Sequence, residues 1–158
     1  MVSNTLRLTR DSGGSVSFSR STDIASPTPG AIVYTFNLSK ITGSGTAAPT
    51  VIMRVGSGFS TANADEADGS TFSRLGINIT TTAGTYQLRN LNGAGTNSAN
   101  ITGNPVITWV MNKTGATYSY LAPNGSVATV GNNAADVWVG TALTFDEMTA
   151  TTSSAGLT

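Results

Sequence analysis

The chain has 158 residues, no histidine, no cysteine, and eight basic side chains against eight acidic ones. With only 10% of its residues charged, it lacks the clustered basic face that nucleic acids require, and the balance also argues against an electrostatic membrane anchor. No apolar run approaches the roughly 20 residues of a membrane-spanning helix. We therefore expect neither nucleic acid binding nor membrane insertion.

Length and composition predict one domain, residues 1–158, which is large enough for a hydrophobic core. Low charge with abundant Ser, Thr, Asn and Gly is typical of exported β-proteins and predicts a secreted or cell-surface location. The opening "MVSNTLRLTR" has no hydrophobic segment of a signal peptide, so we expect the export signal to lie outside this chain. The absence of cysteine excludes a disulfide framework and a thiolate zinc site.

Alternating apolar and polar residues predict about eleven short strands, and a helical pattern is almost absent. In chain order they are "TLRLT", "SVSFS", "AIVYTFNLS", "PTVIMRVG", "FSRLGINIT", "TYQLRNL", "VITWVMN", "TYSYL", "SVATV", "DVWVG" and "LTFDEMTAT". Parity along these strands predicts a buried set. Its members are Tyr34, Phe36, Leu38, Leu75, Ile77, Tyr86, Leu88, Trp109 and one of Val137 or Trp138.

The connections between strands are rich in Gly, Asn, Pro and Ser. "TANADEADGS" is predicted to be a loop, and residues 91–105 form the longest connection, expected to run over a sheet edge. Asn124 and Gly125 tolerate positive φ, which predicts a type I′ turn between "TYSYL" and "VATVG". A turn at 112–115 links this hairpin to "VITWVM" and predicts a three-stranded meander. The apolar face of such a sheet needs cover, so a two-sheet sandwich is expected.

The stretch "ITWVMNKTGATYSYLAPNGSVATVGNNAADVWVG" resembles the C-terminal half of bacterial laminin-G-like, concanavalin A-like jelly-roll modules. In those modules a Trp-bearing strand runs into an Asn-x-x-Gly turn, and a Tyr-x-Tyr strand, a Pro-Asn/Asp-Gly hairpin and a Val-Trp-Val-Gly strand follow. Upstream, "GAIVYTFNLSKIT" and "TVIMRVGSGF" are similar to the paired central strands of the same fold. The resemblance implies an all-β, antiparallel, two-sheet jelly-roll sandwich. It also implies a module of a secreted or surface protein that binds glycans, adheres to proteins or acts as a spacer.

Residues suited to catalysis are scarce. Without histidine or cysteine, Ser-His-Asp and Cys-His arrangements are excluded. A glycosidase needs two carboxylates that face one cleft, whereas the adjacent Asp146 and Glu147 are expected on opposite faces of a strand. Asp136 is a candidate partner for an arginine. The Glu-x-Asp-x-x-Glu strand motif of the catalytic relatives is also missing, so we expect no enzymatic activity.

The acidic segment "NADEADGS" is the leading candidate for a metal site. Asp65, Glu66 and Asp68, together with backbone carbonyls of a flexible loop, offer the hard oxygen ligands that Ca²⁺ prefers. The spacing does not match an EF-hand loop, and a solvated loop without metal is the alternative.

Two surfaces are candidates for carbohydrate binding. Alternation places a set of polar side chains on one shared sheet surface: Arg54, Arg74, Asn78, Gln87, Arg89 and Thr108. Guanidinium groups bind carboxylates or vicinal hydroxyls, which suits an acidic or hydroxyl-rich polysaccharide; cross-strand salt bridging is the alternative. The second surface is the hairpin face with Tyr118 and Tyr120, for which packing on a neighbouring strand is the alternative.

The sequence therefore predicts a non-catalytic extracellular binding module, carbohydrate-binding or adhesive, whose partner is a polysaccharide or surface glycan. The alternative is a structural subunit of a surface layer, fibre or adhesin stalk, whose partners are copies of itself. Segments 1–12 and 150–158 are expected to be flexible or to be exchanged between neighbours as extra strands, and exchange would suit the structural subunit.

Overall fold

The computed structural model describes residues 22, 24, 28–38, 49–60, 65–93 and 95–158. These ranges contain nine strands: β1 (Ala31–Asn37), β2 (Val51–Gly56), β3 (Thr71–Ile79), β4 (Tyr86–Asn90), β5 (Val106–Asn112), β6 (Tyr118–Leu121), β7 (Val127–Val130), β8 (Ala134–Val139) and β9 (Ala142–Thr149). One turn of 3-10 helix, Asp68–Ser70, precedes β3. The described part of the chain has no helix long and apolar enough to cross a membrane. The protein is all-β.

All strand pairs are antiparallel, and they form three groups. Sheet A has the order β1-β5-β8-β9, sheet B has the order β2-β3-β4, and β6 pairs with β7 as a hairpin. Isolated bridges to Asn97 and Ile101 place the segment 96–101 along the free edge of β4. The nine strands coincide with predicted segments, while "TLRLT" and "SVSFS" lie outside the described residues.

The main core fills the space between sheets A and B. Sheet B contributes Phe72, Leu75, Ile77, Tyr86 and Leu88, and sheet A contributes Ile107, Trp109, Met111, Val137 and Phe145. The predicted burial of Leu75, Ile77, Tyr86, Leu88 and Trp109 is thereby confirmed. Phe36 and Leu38 are partly buried against the same core. Two sheets therefore share one apolar interior, as the alternating pattern predicts.

A second, smaller core lies on the opposite face of sheet A, under the β6–β7 hairpin. It consists of Val110, Tyr120, Ala122, Val130, Ala134 and Trp138. Sheet A is therefore the middle layer of three, and both Val137 and Trp138 are buried where one was expected. Strands that are covered on both faces are apolar at nearly every position, as "AADVWV" is except for Asp136. In such a strand, alternation cannot show which residues face the main core.

The predicted meander of β5, β6 and β7 is wrong. The β6–β7 hairpin forms no ladder with β5, whose neighbours are β1 and β8. The side chain of Asn112 directs the hairpin onto the face of sheet A, because its Nδ2 donates to the carbonyls of Ala116 at 2.7 Å and Val130 at 2.9 Å. The buried side-chain amide of Asn112 thus binds the hairpin in place of the backbone hydrogen bonds that a meander would form between β5 and β6.

The hairpin turn also differs from the predicted type I′. The Gly125 N–H donates to the carbonyl of Ala122 at 2.9 Å, and only Gly125 (φ 84°), not Asn124, has positive φ. This is a type I turn with Pro123 at its second position, followed by glycine as a bulge residue. Proline fixes the φ that a type I turn needs at that position, so it decides between the two turn types.

Tyr34 is 45% exposed, so its predicted burial is wrong. Its cross-strand partner is the buried Trp109, and the two side chains lie on the same face of sheet A. Because β1 is the outermost described strand of sheet A, the cover that sheet B gives to Trp109 does not extend over the Tyr34 ring.

Residues 150–158 pack across the ends of β2 and β3. The Thr151 N–H donates to the Phe72 carbonyl at 2.7 Å, and the Thr158 N–H donates to the Gly56 carbonyl at 3.2 Å. Leu157 is fully buried in the main core. This segment, which the sequence left open as flexible or exchanging, is anchored here; residues 1–12 lie outside the described residues.

Candidate functional site

The outer face of sheet B, directed away from the main core, brings together five of the predicted site residues. Arg54 of β2 pairs directly with Arg74 of β3, and Asn78 of β3 pairs with Gln87 of β4. Arg89 of β4 pairs with Gly76, which lies between Arg74 and Asn78 on the same face of β3. We call these five side chains the polar face. They converge because β2, β3 and β4 are neighbours and because all five positions share one parity.

Thr108, which was expected on the same surface, belongs to sheet A, where it pairs with Thr35 and Trp138. That expectation is wrong, because parity assigns a face within a strand but does not say which sheet the strand joins.

An ion-pair network ties the polar face to the acidic segment before β3. Arg54 donates to Asp65 Oδ1 at 2.9 Å and to Asp68 Oδ1 at 3.0 Å, and Arg74 donates to the same Asp68 oxygen at 2.7 Å. The arginine side chains are largely covered, whereas the Asp65 and Asp68 side chains are 83% and 58% exposed. The groups that face solvent are therefore the two aspartate carboxylates, and the arginine guanidinium groups beneath them hold them in place through ion pairs.

Calcium at Asp65, Glu66 and Asp68 stays a prediction. In the structure each of these carboxylates already accepts hydrogen bonds, with Glu66 Oε1 receiving the Ser60 N–H at 2.8 Å. Two guanidinium groups beside Asp65 and Asp68 supply the positive charge that a cation would otherwise bring.

The polar face also holds the loop that follows β4. Arg74 Nη2 donates to the Leu91 carbonyl at 2.7 Å, and Asn78 Nδ2 donates to Asn97 Oδ1 at 3.1 Å. The Arg89 guanidinium lies against Gly95, where an added Cβ would be 2.8 Å from Nη2. Since Gly95 has φ +75°, glycine meets both the steric and the conformational need there. The loop is therefore fixed on a rigid sheet.

The second predicted surface, Tyr118 and Tyr120, faces inward. Tyr120 is 8% exposed, its hydroxyl donates to Asp136 Oδ2 at 2.5 Å, and it accepts the Trp138 indole N–H at 2.9 Å. Tyr118 is half-buried against the same small core. Both tyrosines therefore pack against sheet A, which was the alternative to a binding surface. Because Tyr120 is buried, its ring is not available for stacking on a ligand.

Asp136 is a buried carboxylate in the middle of sheet A, 1% exposed. Its partner is Tyr120 rather than the expected arginine, and its Oδ1 accepts the backbone N–H of Glu147 at 2.9 Å. Burial raises its pKa, while the bonds from Tyr120 and Glu147 lower it and the nearby charges of Asp146 and Glu147 raise it. Burial and the bond to Asp136 likewise raise the pKa of Tyr120.

Asp146 and Glu147 do not lie on opposite faces as expected. β8 residues 135 and 137 pair with β9 residues 148 and 145, so two residues oppose Asp136 and form a β-bulge. Glu147 has φ 51°, and oxygens of Asp136, Asp146 and Glu147 lie within 4.8 Å of one another. Both Glu147 oxygens accept the Gly131 N–H, at 2.8 and 3.0 Å. The β-bulge and these hydrogen bonds therefore hold the three carboxylates close together.

Sequence reasoning missed the arrangement of Asp136, Tyr120 and Trp138. An acidic residue inside the apolar run "AADVWV" was the available signal, because a carboxylate surrounded by apolar side chains needs dedicated donors. The arrangement joins the hairpin to sheet A, and the buried Asp136 has both oxygens engaged. These hydrogen bonds hold the hairpin against sheet A.

Comparisons of this chain with known protein families, with curated proteins and with solved structures found no match.

Proposed function

We propose that this protein is a non-catalytic extracellular module that binds carbohydrate through the polar face of sheet B. The jelly-roll topology is part of the same proposal. The observation that carries it is the convergence of Arg54, Arg74, Asn78, Gln87 and Arg89 on one surface. In ligand-binding sites, a small number of well-placed polar groups fixes the orientation of the ligand and provides specificity.

The charge arrangement favours a neutral, hydroxyl-rich saccharide over an acidic one. Arg54 and Arg74 already donate to Asp65 and Asp68, and the exposed groups are those carboxylates. Carboxylate oxygens accept hydrogen bonds from sugar hydroxyls but repel an acidic polysaccharide. The ion pairs also hold the carboxylates in place before a ligand arrives, which reduces the ordering cost of binding.

Among the residues that the structure describes, the buried Asn78 Oδ1, an acceptor, and the buried Arg74 Nε, a donor, have no hydrogen-bond partner. Buried polar groups are nearly always satisfied in folded proteins. A hydroxyl group both donates and accepts, so saccharide hydroxyls, directly or through a water molecule, suit this pair of atoms.

The test is a glycan array probed with the full chain, with Ca²⁺ and with a chelator, followed by calorimetric titration of the oligosaccharides that bind. Asp68→Asn is expected to weaken binding by about tenfold or more, because it removes a charged acceptor and loosens both arginines. Asp146→Asn, an exposed carboxylate of sheet A, is the matched control. Absence of binding to every glycan under both conditions overturns the proposal, and a dependence on Ca²⁺ supports the metal prediction.

A structural subunit is the second candidate, and the C-terminal segment favours it. Residues 150–158 reach sheet B through main-chain bonds and one buried leucine, a contact that a neighbouring copy could reproduce. Light scattering coupled to size-exclusion chromatography separates the two functions when it is applied to the full chain, to a chain lacking residues 1–10 and to a chain lacking residues 150–158. A full chain that is a monomer at all concentrations contradicts assembly. An oligomer that persists without residues 150–158 contradicts assembly through the C-terminal segment.

A further inference from the structure

The sequence contains two Asn-Gly dipeptides, Asn92-Gly93 after β4 and Asn124-Gly125 in the turn between β6 and β7. In such a dipeptide the backbone nitrogen of the glycine reaches the side-chain amide carbon of the asparagine with little hindrance, because glycine has no side chain. The two dipeptides therefore share one reactivity, and the fold decides which of them expresses it.

Asn92 is held by neighbouring segments at both polar atoms of its side-chain amide. Its Oδ1 accepts the Arg74 N–H at 2.7 Å and the Thr151 hydroxyl at 2.8 Å, and its Nδ2 donates to Ser73 Oγ at 2.7 Å. Bringing the Asn92 Cγ to the Gly93 nitrogen therefore requires breaking hydrogen bonds of partly buried groups, which is unfavourable.

The bonds of the Asn124 side chain lie within its own turn. Asn124 Oδ1 accepts the Ser126 N–H at 3.0 Å and the Ser126 hydroxyl at 2.7 Å. Because Ser126 is two residues further along the chain, these bonds fold the side chain back over the Gly125 peptide, whose nitrogen is the attacking atom. Residues 123–126 are all exposed, so water and hydroxide reach this turn.

The two donors of Ser126 also favour the chemistry. Attack of nitrogen on the Asn124 Cγ places negative charge on Oδ1, and donors aimed at an oxygen where charge develops stabilise the transition state. One bond opposes the reaction, because the Gly125 N–H donates to the Ala122 carbonyl at 2.9 Å and must first be released. Local opening of an exposed turn costs less than opening of a buried strand.

We propose that Asn124 is a site of spontaneous deamidation in the folded protein and that the fold protects Asn92. The Gly125 nitrogen loses its proton to hydroxide and forms a bond to the Asn124 Cγ. The Cγ–Nδ2 bond breaks as ammonia leaves with a proton from water, which restores the hydroxide. Water then hydrolyses the cyclic imide at either carbonyl, which gives aspartate or isoaspartate. Because the chain has a formal net charge of zero, either product makes it negative.

The test is incubation of the full chain in mildly alkaline buffer, digestion at mildly acidic pH, and mass spectrometry of the peptides that contain the two dipeptides. A sample unfolded in guanidinium chloride is the reference for intrinsic reactivity, and there the two sites should react within about threefold of each other. In the folded chain Asn124 should react about tenfold or more faster than Asn92, because the bonds of Asn92 must break first.

Ser126→Ala tests the contribution of the serine hydroxyl. This variant keeps the backbone N–H and should slow the reaction of the folded chain at Asn124 by about two- to tenfold, while its unfolded chain reacts as the unfolded parent does. Ser119→Ala, at an exposed serine of β6, is the matched control and should leave the rate unchanged. Ion-exchange chromatography gives a second readout, since the products carry an additional negative charge.

The outcomes separate control by the fold from control by the dipeptide alone. Equal rates at Asn92 and Asn124 in the folded chain overturn the proposal, and so does an unreactive Asn124 under conditions that modify the unfolded chain. An unchanged or faster rate at Asn124 in folded Ser126→Ala overturns the role assigned to the serine hydroxyl. A folded-state preference for Asn124 that Ser126→Ala reduces supports both parts.

Discussion

The Tyr120 hydroxyl lies between two buried groups, the Asp136 carboxylate and the Trp138 indole N–H, and bonds to both. Replacing Tyr120 with Phe keeps the ring but leaves a buried acceptor and a buried donor unsatisfied. We expect Tyr120→Phe to lower the free energy of unfolding by about 1–3 kcal/mol, measured by urea denaturation.

Tyr118→Phe is the matched control, because it makes the same chemical change two residues away on the same hairpin. We expect it to alter the free energy of unfolding by less than about 0.5 kcal/mol. Equal losses in the two variants would mean that the bonds of Tyr120 do not stabilise the hairpin on sheet A.

Asp136 makes stability depend on pH in a direction opposite to that of a carboxylate in an ion pair. Its folded-state pKa is raised above the ordinary value of 3.8, mainly by burial, so the folded state holds this proton more tightly than the unfolded state does. The stabilisation is complete below pH 3.8 and is lost as the pH rises through the folded-state pKa.

Urea denaturation of the parent and of Asp136→Asn, between about pH 4 and about pH 8, isolates this contribution. The stability of the parent relative to Asp136→Asn should increase as the pH falls. Because Asp146 and Glu147 also face the site, the same series on Asp146→Asn shows how much of the effect is repulsion between carboxylates. A relative stability that is constant across the range would contradict the expectation.

At the level of the strands, Gly56 closes the register shift between β2 and β3. A Cβ atom there would lie 1.9 Å from the Ser70 carbonyl oxygen and 2.8 Å from the Thr71 Cα, both of them backbone atoms. Gly56→Ala is expected to lower the free energy of unfolding by about 3 kcal/mol, as seen by urea denaturation. Gly69→Ala, with no atom within 4 Å of its added Cβ, is the control and should be nearly neutral. A stable Gly56→Ala would show that β2 can shift away from β3.

Features that depend on a single strand could be predicted from the sequence. Alternation located the nine described strands and placed five polar residues on one surface, because β2, β3 and β4 follow one another in the chain and in the sheet. The same reasoning placed Tyr34 on the correct face of β1 but could not see that the cover ends there. Exposure depends on the position of the strand in its sheet.

Features that depend on contacts between distant segments could not be predicted. The place of the hairpin follows from two hydrogen bonds of Asn112, and the position of the Glu147 carboxylate follows from a residue with positive φ that interrupts alternation. The ion pairs of Arg54 join a strand to a loop that parity does not describe. Each of these requires knowing which segments meet.

On the scale of the whole molecule, residues 150–158 cover the end of the main core beside the C-terminal end of β2 and the start of β3. Leu157 is fully buried, so truncating it leaves a cavity in the main core. Leu157→Ala is expected to lower the free energy of unfolding by about 2–5 kcal/mol, measured by urea denaturation.

Leu143→Ala makes the same truncation at an exposed leucine of β9 and should cost far less. If the two variants were equally stable, the C-terminal segment would not be part of the cooperative core.

The place of β5 and β8 at the centre of the middle layer has a consequence for exchange of amide protons with deuterated water. These strands are flanked by partners in their own sheet, with sheet B on one face and the β6–β7 hairpin on the other. Their amides are therefore reached by solvent only when the whole molecule opens, whereas the hairpin can detach alone. Mass spectrometry should find the slowest deuterium uptake in residues 106–112 and 134–139, with rates that follow the global unfolding free energy. Uptake in residues 118–130 should be faster, and Tyr120→Phe should accelerate uptake there while the two central strands remain protected.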